Sequence, residues 1–365
     1  LPDARQAIER ERQRRDFRRW LGAVNPEWSW DWAHLQFIRE KLRAVTAGKC
    51  HRLMLFIPPR HGKSEMVTVR YAAWRLERDP SARVIIGAYN QQLANLFSRK
   101  CRRIAADRLG LSGENAAVME WATEDGGGVR AVGVGAGITG HGGDLIIIDD
   151  PVRSRQDANS ETFREATWEW YRDDLYTRLE PNGAIVLIMT RWHQDDLAGR
   201  ILNSEQAGDW EVISLPAEAE DNDPLGREVG EALCPERFPL ETLADIRTTL
   251  GRSYYALYQQ RPAPQEGEMF KRAWFEAFPN YPPVMDALVR YWDKGATAET
   301  GDYTVGVLMG RVRGAYWILD VVRGQWSTFE REKQIELTAH RDLQRWGPGV
   351  NIWLEQEGGS GGKDS

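Results

Sequence analysis

The sequence predicts an α/β fold in which a parallel sheet, covered by helices on both faces, presents a phosphate-binding turn. Short apolar runs such as Leu53–Ile57 and Leu145–Ile148 alternate with amphipathic stretches, the pattern of strands buried on both faces. The first run leads into Pro58-Pro59-Arg60-His61-Gly62-Lys63-Ser64 and then a helical segment. The second ends in Asp149-Asp150. A ligand is therefore expected at the carboxyl ends of the strands.

The elements follow in order. A charged helix carrying Arg10, Glu11, Arg12, Arg14, Arg15, Arg18 and Arg19 precedes an aromatic entry, Trp28 to Trp32, and a helix through Leu35, Ile38 and Leu42. After the strand ending at Ile57 come a helix over Lys63–Arg78, a strand over Arg83–Tyr89 and a helix over Gln91–Ala106. A Gly-rich region with hairpin character at Val129–Val134 leads to the strand Leu145–Ile148. A long helix over about Ser160–Leu179 and strands at Ile185–Met189 and Glu211–Ser214 complete this part. Residues 216–240 are acidic, contain Pro and Gly, and read as a connector; Arg247–Gln260 is helical again. From about Ala287 a second pattern begins: a strand ending at Asp293, a hairpin of Tyr303–Met309 and Tyr316–Val322, a helix over Phe329–Trp346, and a strand ending at Glu355.

At 365 residues the chain exceeds one ordinary core and implies two domains. Its apolar (42%) and charged (28%) fractions are those of globular proteins, and no apolar run reaches the roughly 18 residues of a membrane span. The expectation is a protein with no membrane partner. Cys50, Cys101 and Cys234 are widely spaced and include no CxxC pair, which argues against a zinc site or disulfide scaffold and for a reducing cytoplasm. The net charge of −6 neither advertises nor excludes nucleic acid, since phosphate contacts need only a local basic groove.

Gly62-Lys63-Ser64 at a strand-to-helix turn is the working half of a P-loop. In the loop Pro59–Ser64 the backbone N–H groups from Arg60 onward and the helix start would cradle phosphate oxygens, Lys63 would reach the β- and γ-phosphates, and the Ser64 hydroxyl would ligate Mg²⁺. Ile57 stands where the motif's first glycine usually does. Asp144–Asp150 supplies the other half: Asp149 to hold Mg²⁺ through water, and Asp150 to orient the attacking water. The pair predicts an NTPase. Thr190, at the end of the strand Ile185–Met189, could sense the γ-phosphate, and Gln36 could contact adenine. Arg60 and Arg130 are candidates to stabilise transition-state charge.

Pro-Pro-Arg-His-Gly-Lys-Ser, the Gly135–Gly143 stretch before Asp-Asp-Pro, Thr190-Arg191-Trp192-His193 and Tyr254–Pro262 together resemble phage terminase large subunits, in family order over essentially the whole chain. The family typically uses the substituted loop, although its water-orienting acid is often Glu and here is Asp150. The resemblance implies an N-terminal charged helix (1–24), an ASCE-type P-loop ATPase domain (25–215), a connector or lid (216–282) and an RNase H-like nuclease (283–365). It also implies ATP-driven packaging of double-stranded DNA by a ring of subunits on the capsid portal protein, with a small terminase subunit recognising viral DNA. The chain would then work in the host cytoplasm, transiently at the procapsid portal vertex.

Phosphodiester cleavage with two ions needs carboxylates that hold them about 4 Å apart. Asp293 and Glu355, each ending a strand, are the expected ligands of Mg²⁺ or Mn²⁺ in the nuclease, with Glu357 the substitute for Glu355 and Asp302 a further candidate. The fold expects a later carboxylate after another helix and strand, so the nuclease reads as C-terminally truncated and little cleavage is expected of this form. A P-loop translocase or helicase without nuclease activity is the alternative reading. A degenerate docking subunit is disfavoured by the intact Lys63, Ser64, Asp149 and Asp150.

Overall fold

The computed structural model describes residues 2–138, 140–262, 275, 280–282, 284–295 and 303–355. Thr139, Asp302 and Glu357 lie outside the described residues. The chain divides into two compact units, Leu1–Gln265 and Glu266–Ser365. The charged N-terminal segment and residues 216–265 of the connector fall in the first unit, and residues 266–282 in the second.

The first unit begins with α1 (Pro2–Arg15) and α2 (Phe17–Val24), the latter capped by the Asp16 carboxylate, which accepts from Arg19 N. These helices are held to the body by a buried carboxylate. Glu77, 4% exposed, pairs with the Arg108 guanidinium and accepts at 2.5 Å from Trp20 Nε1. After α3 (Ala33–Thr46) and β1 (Arg52–Phe56), the helix expected at Lys63–Arg78 starts as a π-helix, Ser64–Tyr71, and continues as α4 (Ala72–Arg78). Next come β2 (Arg83–Ala88), α5 (Gln91–Ala106), β3 (Leu111–Ala116), β4 (Glu120–Thr123), β5 (Gly128–Gly133) and β6 (Gly143–Asp149). Then follow α6 (Arg155–Asn159) and α7 (Glu161–Glu169), which runs on through a π-helical turn, Trp170–Leu175, into β7 (Leu179–Met189) by way of a 3₁₀ turn. The unit closes with α8 (Leu197–Leu202), β8 (Glu211–Ser214), α9 (Leu240–Leu250) and α10 (Arg252–Leu257).

The sheet order is β3-β4-β5-β2-β6-β7-β1-β8. From β5 to β8 it is parallel, as expected. The wholly parallel sheet read from the sequence needs one correction: β4 pairs antiparallel with β5, and β3 with β4. The reason is local. Gly126 (φ +86°) and Gly128 (φ +154°) reverse the chain just after Thr123, so the next strand returns alongside β4. A second correction concerns Arg247–Gln260. Gly251 (φ +53°) breaks it into α9 and α10, which pack with Ala217, Ala232 and Tyr258 into a small apolar cluster of their own.

Strand alternation divides the core between the two faces of the sheet. Leu53, Leu55 and Ile57 face the layer of α2, α3, α4 and α5, while Met54 and Phe56 face Trp170, Tyr171 and α8. Gly87 in β2 is what lets Trp170 approach, because a Cβ there would lie 2.7 Å from the indole Cη2. Gly87→Ala should therefore cost about 1–3 kcal/mol through overpacking, read as a lower denaturation midpoint with unchanged slope.

The second unit contains β9 (Ala287–Asp293), β10 (Thr304–Val312), β11 (Ala315–Gly324), α11 (Thr328–Trp346) and β12 (Val350–Leu354). β9, β10 and β11 pair antiparallel; β12 returns through α11 to lie parallel to β9, giving the order β11-β10-β9-β12. Ser327 and Glu330 form a reciprocal capping box at the start of α11. Leu288, Arg290 and Trp292 of β9 are buried, whereas Tyr291 and Asp293 point to the exposed side. Arg290 is fully buried. Its guanidinium makes a two-bond pair with Asp342 (2.7 and 2.9 Å), bonds Asp320 at 2.7 Å, and donates to Gly306 O at 3.0 Å. No helix among the described residues is long and apolar enough to cross a membrane.

Candidate nucleotide site

β7 lies between β1 and β6, so the loop after β1 and the acids Asp149 and Asp150 at the end of β6 flank the end of one intervening strand. Residues distant in sequence meet there. Lys63, 6% exposed, donates from Nζ to Asp150 Oδ1 at 2.9 Å, to Thr190 Oγ1 and to Ile57 O. Thr190 N donates to the same Asp150 oxygen at 2.8 Å. Asp149, 1% exposed, accepts at Oδ1 from Ser64 Oγ (3.0 Å) and at Oδ2 from Thr68 Oγ1 (2.5 Å). Burial raises the Asp149 carboxyl above the usual carboxylate range, and the adjacent Asp150 charge adds to the rise. A buried carboxylate that burial disfavours as an anion, set beside a hydroxyl, suits a divalent cation.

The backbone is strained at the same place. Arg60 (φ +65°) and Asp150 (φ +42°) are non-glycine residues in the left-handed region, and Gly62 between Arg60 and Lys63 has φ +85°. Such conformations cost on the order of 1–3 kcal/mol each for non-glycine residues and gather at ligand sites. Left-handed residues in such a loop are the backbone geometry from which anion-binding concavities of N–H groups are built, and this one lies just before the helix start at Ser64.

The expected residues divide into groups. Lys63, Ser64, Asp149, Asp150 and Thr190 converge. Pro59, Arg60, His61 and Gly62 form the loop, with Arg60 exposed. The His61 side chain turns inward: it is 1% exposed, stacks on Phe238 at 4.7 Å and bonds Pro59 O, so only its backbone is left for a ligand. Gln36 is exposed on α3, and its amide donates to Asp31 O in the segment just before that helix. Arg130 sits on β5, paired with Glu120 of β4, against a cavity of about 180 Å³. That cavity is bordered by the amino-terminal ends of β2 and β5, the end of the sheet opposite the phosphate loop. In the second unit, Asp293 ends β9 and Glu355 follows β12, with Glu355 N donating to Trp292 O at 2.9 Å. The two carboxylates thus leave neighbouring parallel strands at the same end. No cluster of three or more His, Cys, Asp or Glu with metal-binding geometry is present among the described residues.

Two residues escaped the sequence reading. Thr68 is one, and its signal was the i,i+4 spacing from Ser64 on the helix. The other is Gln260 (φ +56°), whose Oε1 accepts from Arg191 N at 3.2 Å and whose Nε2 donates to Leu257 O, tying the end of β7 to the connector. It lies in the Tyr254–Pro262 motif, but no local pattern marks this role.

The sequence matches the family described as terminase large subunit, T4-like virus type, N-terminal, over residues 54–277, more than half of the chain. The chain belongs to the terminase large-subunit family. Membership sets it among the subunits of phage DNA-packaging motors. Solved structures similar to it include the HK97 bacteriophage large terminase (15% identity, covering 87% of this chain and 69% of that one, TM-score 0.45). A large terminase of a thermophilic bacteriophage in complex with ADP is 10% identical, covering 87% and 77%, with TM-score 0.39. The large terminase ATPase domain of Thermus phage P74-26 is 14% identical, covering 61% and 92%, with TM-score 0.41. A search of curated proteins found no match.

Two histidines behind the phosphate loop give a pH dependence. His34 Nε2 bonds His61 O at 3.0 Å, and burial, the largest cause for both, lowers each imidazole from 6.5 to about 4. Between these values the unfolded chain binds protons that the folded chain refuses. Stability is therefore full above about pH 6.5 and lost as pH falls toward 4, by on the order of 3 kcal/mol per imidazole. Denaturant titrations at pH 7 and 4.5 should show that loss, and His61→Asn should reduce it.

Proposed function

We propose that this terminase large subunit hydrolyses ATP with Mg²⁺ at the β1 turn and uses that hydrolysis to drive double-stranded DNA into procapsids. The observation that carries the reading is the meeting of Lys63, Ser64, Asp149, Asp150 and Thr190 where β1, β6 and β7 end. The loop Pro59–Ser64 holds phosphate oxygens through its N–H groups from Arg60 onward, and Lys63 exchanges its Asp150 and Thr190 partners for the β- and γ-phosphates. Ser64 and, through water, Asp149 would hold Mg²⁺, whose charge would neutralise the phosphates. Freed of Lys63, Asp150 orients the attacking water, and Thr190 N keeps the carboxylate in place. Arg60, exposed at the loop, is the candidate from this chain for stabilising charge in the transition state. Gln36 would contact adenine once its bond to Asp31 O is exchanged.

The second unit is proposed to be an RNase H-like, metal-dependent endonuclease that cuts concatemeric DNA. Asp293 and Glu355 are its Mg²⁺ or Mn²⁺ ligands, supported by their common position at the ends of β9 and β12. The proposed partners are DNA, the portal protein, a small terminase subunit and further copies of this chain in a ring, with no membrane. The proposed place of work is the host cytoplasm and, transiently, the procapsid portal vertex.

DNA binding tests the reading. Affinity should be alike for unrelated duplexes and fall steeply between 50 and 200 mM salt, as backbone contacts with condensed counterions require. Tight binding to one sequence that persists at high salt would point to a regulator instead. In a longer form of this protein that cuts plasmid in Mn²⁺, loss of cutting in Asp293→Ala with ATP turnover intact would support the nuclease. Cutting unchanged by that substitution would contradict it.

A further inference from the structure

Asp149 has two hydroxyl partners, and the two differ in what a bound ion would do to them. Ser64 Oγ donates to Oδ1 at 3.0 Å, and this oxygen is also the one that the nucleotide-site reading assigns to the ion. A hydroxyl that gives a lone pair to a cation keeps its O–H free to donate, so Ser64 would serve the ion and Oδ1 together. Thr68 has no such second task. It is fully buried one helical turn after Ser64, and its Oγ1 donates at 2.5 Å to Oδ2, the other carboxylate oxygen.

The geometry points to Thr68 as the positioning residue for the divalent ion: we infer that it pins Asp149 Oδ2 so that Oδ1 stays aimed at Ser64 and at the ion that Ser64 would hold. The inference rests on the nucleotide-site reading above and extends it to a residue outside the phosphate loop and outside the strand that carries the acids. The placement is a consequence of the helix. Ser64 and Thr68 are i,i+4 neighbours in the π-helix Ser64–Tyr71, so both hydroxyls lie on the side facing the end of β6. A valine fits the same volume, with a methyl group in place of the hydroxyl. It would leave Oδ2 of a 1%-exposed carboxylate without this donor.

The test is ADP binding by the whole 365-residue chain, measured in EDTA and across a Mg²⁺ titration, for wild type, Thr68→Val and Thr68→Ser. In wild type, Mg²⁺ should tighten ADP binding. In Thr68→Val, binding in EDTA should match wild type, which also reports a folded phosphate loop, while the Mg²⁺ concentration at half-effect rises roughly ten-fold, as expected for one lost bond to a charged group. Thr68→Ser, which keeps the hydroxyl, should stay within about two-fold of wild type by the same argument. An unchanged Mg²⁺ midpoint in Thr68→Val overturns the inference, and so does equal weakening with and without metal, since that marks a merely structural role. If wild-type binding gains nothing from Mg²⁺, the nucleotide-site reading itself falls, an outcome distinct from either of these.

Discussion

Lys63→Ala should lower ATP turnover by about 10²–10³-fold, the loss typical of removing one preorganised group that stabilises developing charge. The geometry makes this the largest single effect on activity. Lys63 is 6% exposed and is bonded to both Asp150 and Thr190, so its ammonium is already held at the point where the three strand ends meet. The fold should survive the change, because the partner left behind, Asp150, is 28% exposed at its side chain and can be solvated. Asp150→Asn is the matching control. Asn tolerates the left-handed conformation at this position, so the backbone is preserved while the water-orienting carboxylate is lost. Phosphate release should fall by about 10²-fold or more in this variant with ADP binding near wild type. Equal loss of ADP binding in both variants would show that Asp150 acts on the phosphate loop rather than on water.

The largest effect on stability is expected in the second unit. Arg290→Ala removes a fully buried guanidinium from between Asp342, 3% exposed, and Asp320. Replacing both partners of a buried pair with apolar groups is often harmless, but removing one leaves an uncompensated charge and costs about 3–5 kcal/mol. The cost should fall on the sheet β11-β10-β9-β12. Hydrogen exchange at the amides of β9 and β10 should accelerate by two orders of magnitude or more, since about 1.4 kcal/mol corresponds to each ten-fold. Arg290→Ala paired with Asp342→Leu should recover part of the loss. Protection unchanged in Arg290→Ala would mean that the pair is solvated in solution.

The strands and the site acids were legible because each rests on a local pattern. Continuous apolar runs marked β1, β2, β6 and β7, and Asp149, Asp150 and Thr190 are read directly from the ends of β6 and β7, as Asp293 is from the end of β9. What was not legible depends on contacts across the chain. The insertion of β7 between β1 and β6 arises from strand pairing that no local pattern encodes, yet it is what brings Thr190 to Lys63. β3 and β4 escaped notice because Leu111–Ala116 and Glu120–Thr123 are short and polar, and their antiparallel return depends on glycine torsions. His61 sits in the phosphate-loop motif, and only the structure reveals that its ring is given to Phe238 rather than to a ligand. Arg290 in an otherwise apolar strand could be read equally as an exposed residue or a buried ion; Asp342, 52 positions later, decides it.

The most direct test of the central claim is phosphate release by the wild-type chain supplied with ATP, with Mg²⁺ or EDTA, and with or without double-stranded DNA of arbitrary sequence. The assembly of Lys63, Ser64, Asp149 and Asp150 predicts hydrolysis that requires Mg²⁺, rises with DNA whatever its sequence, and is lost in Lys63→Ala. Hydrolysis that persists in EDTA, or is equal in wild type and Lys63→Ala, would contradict it.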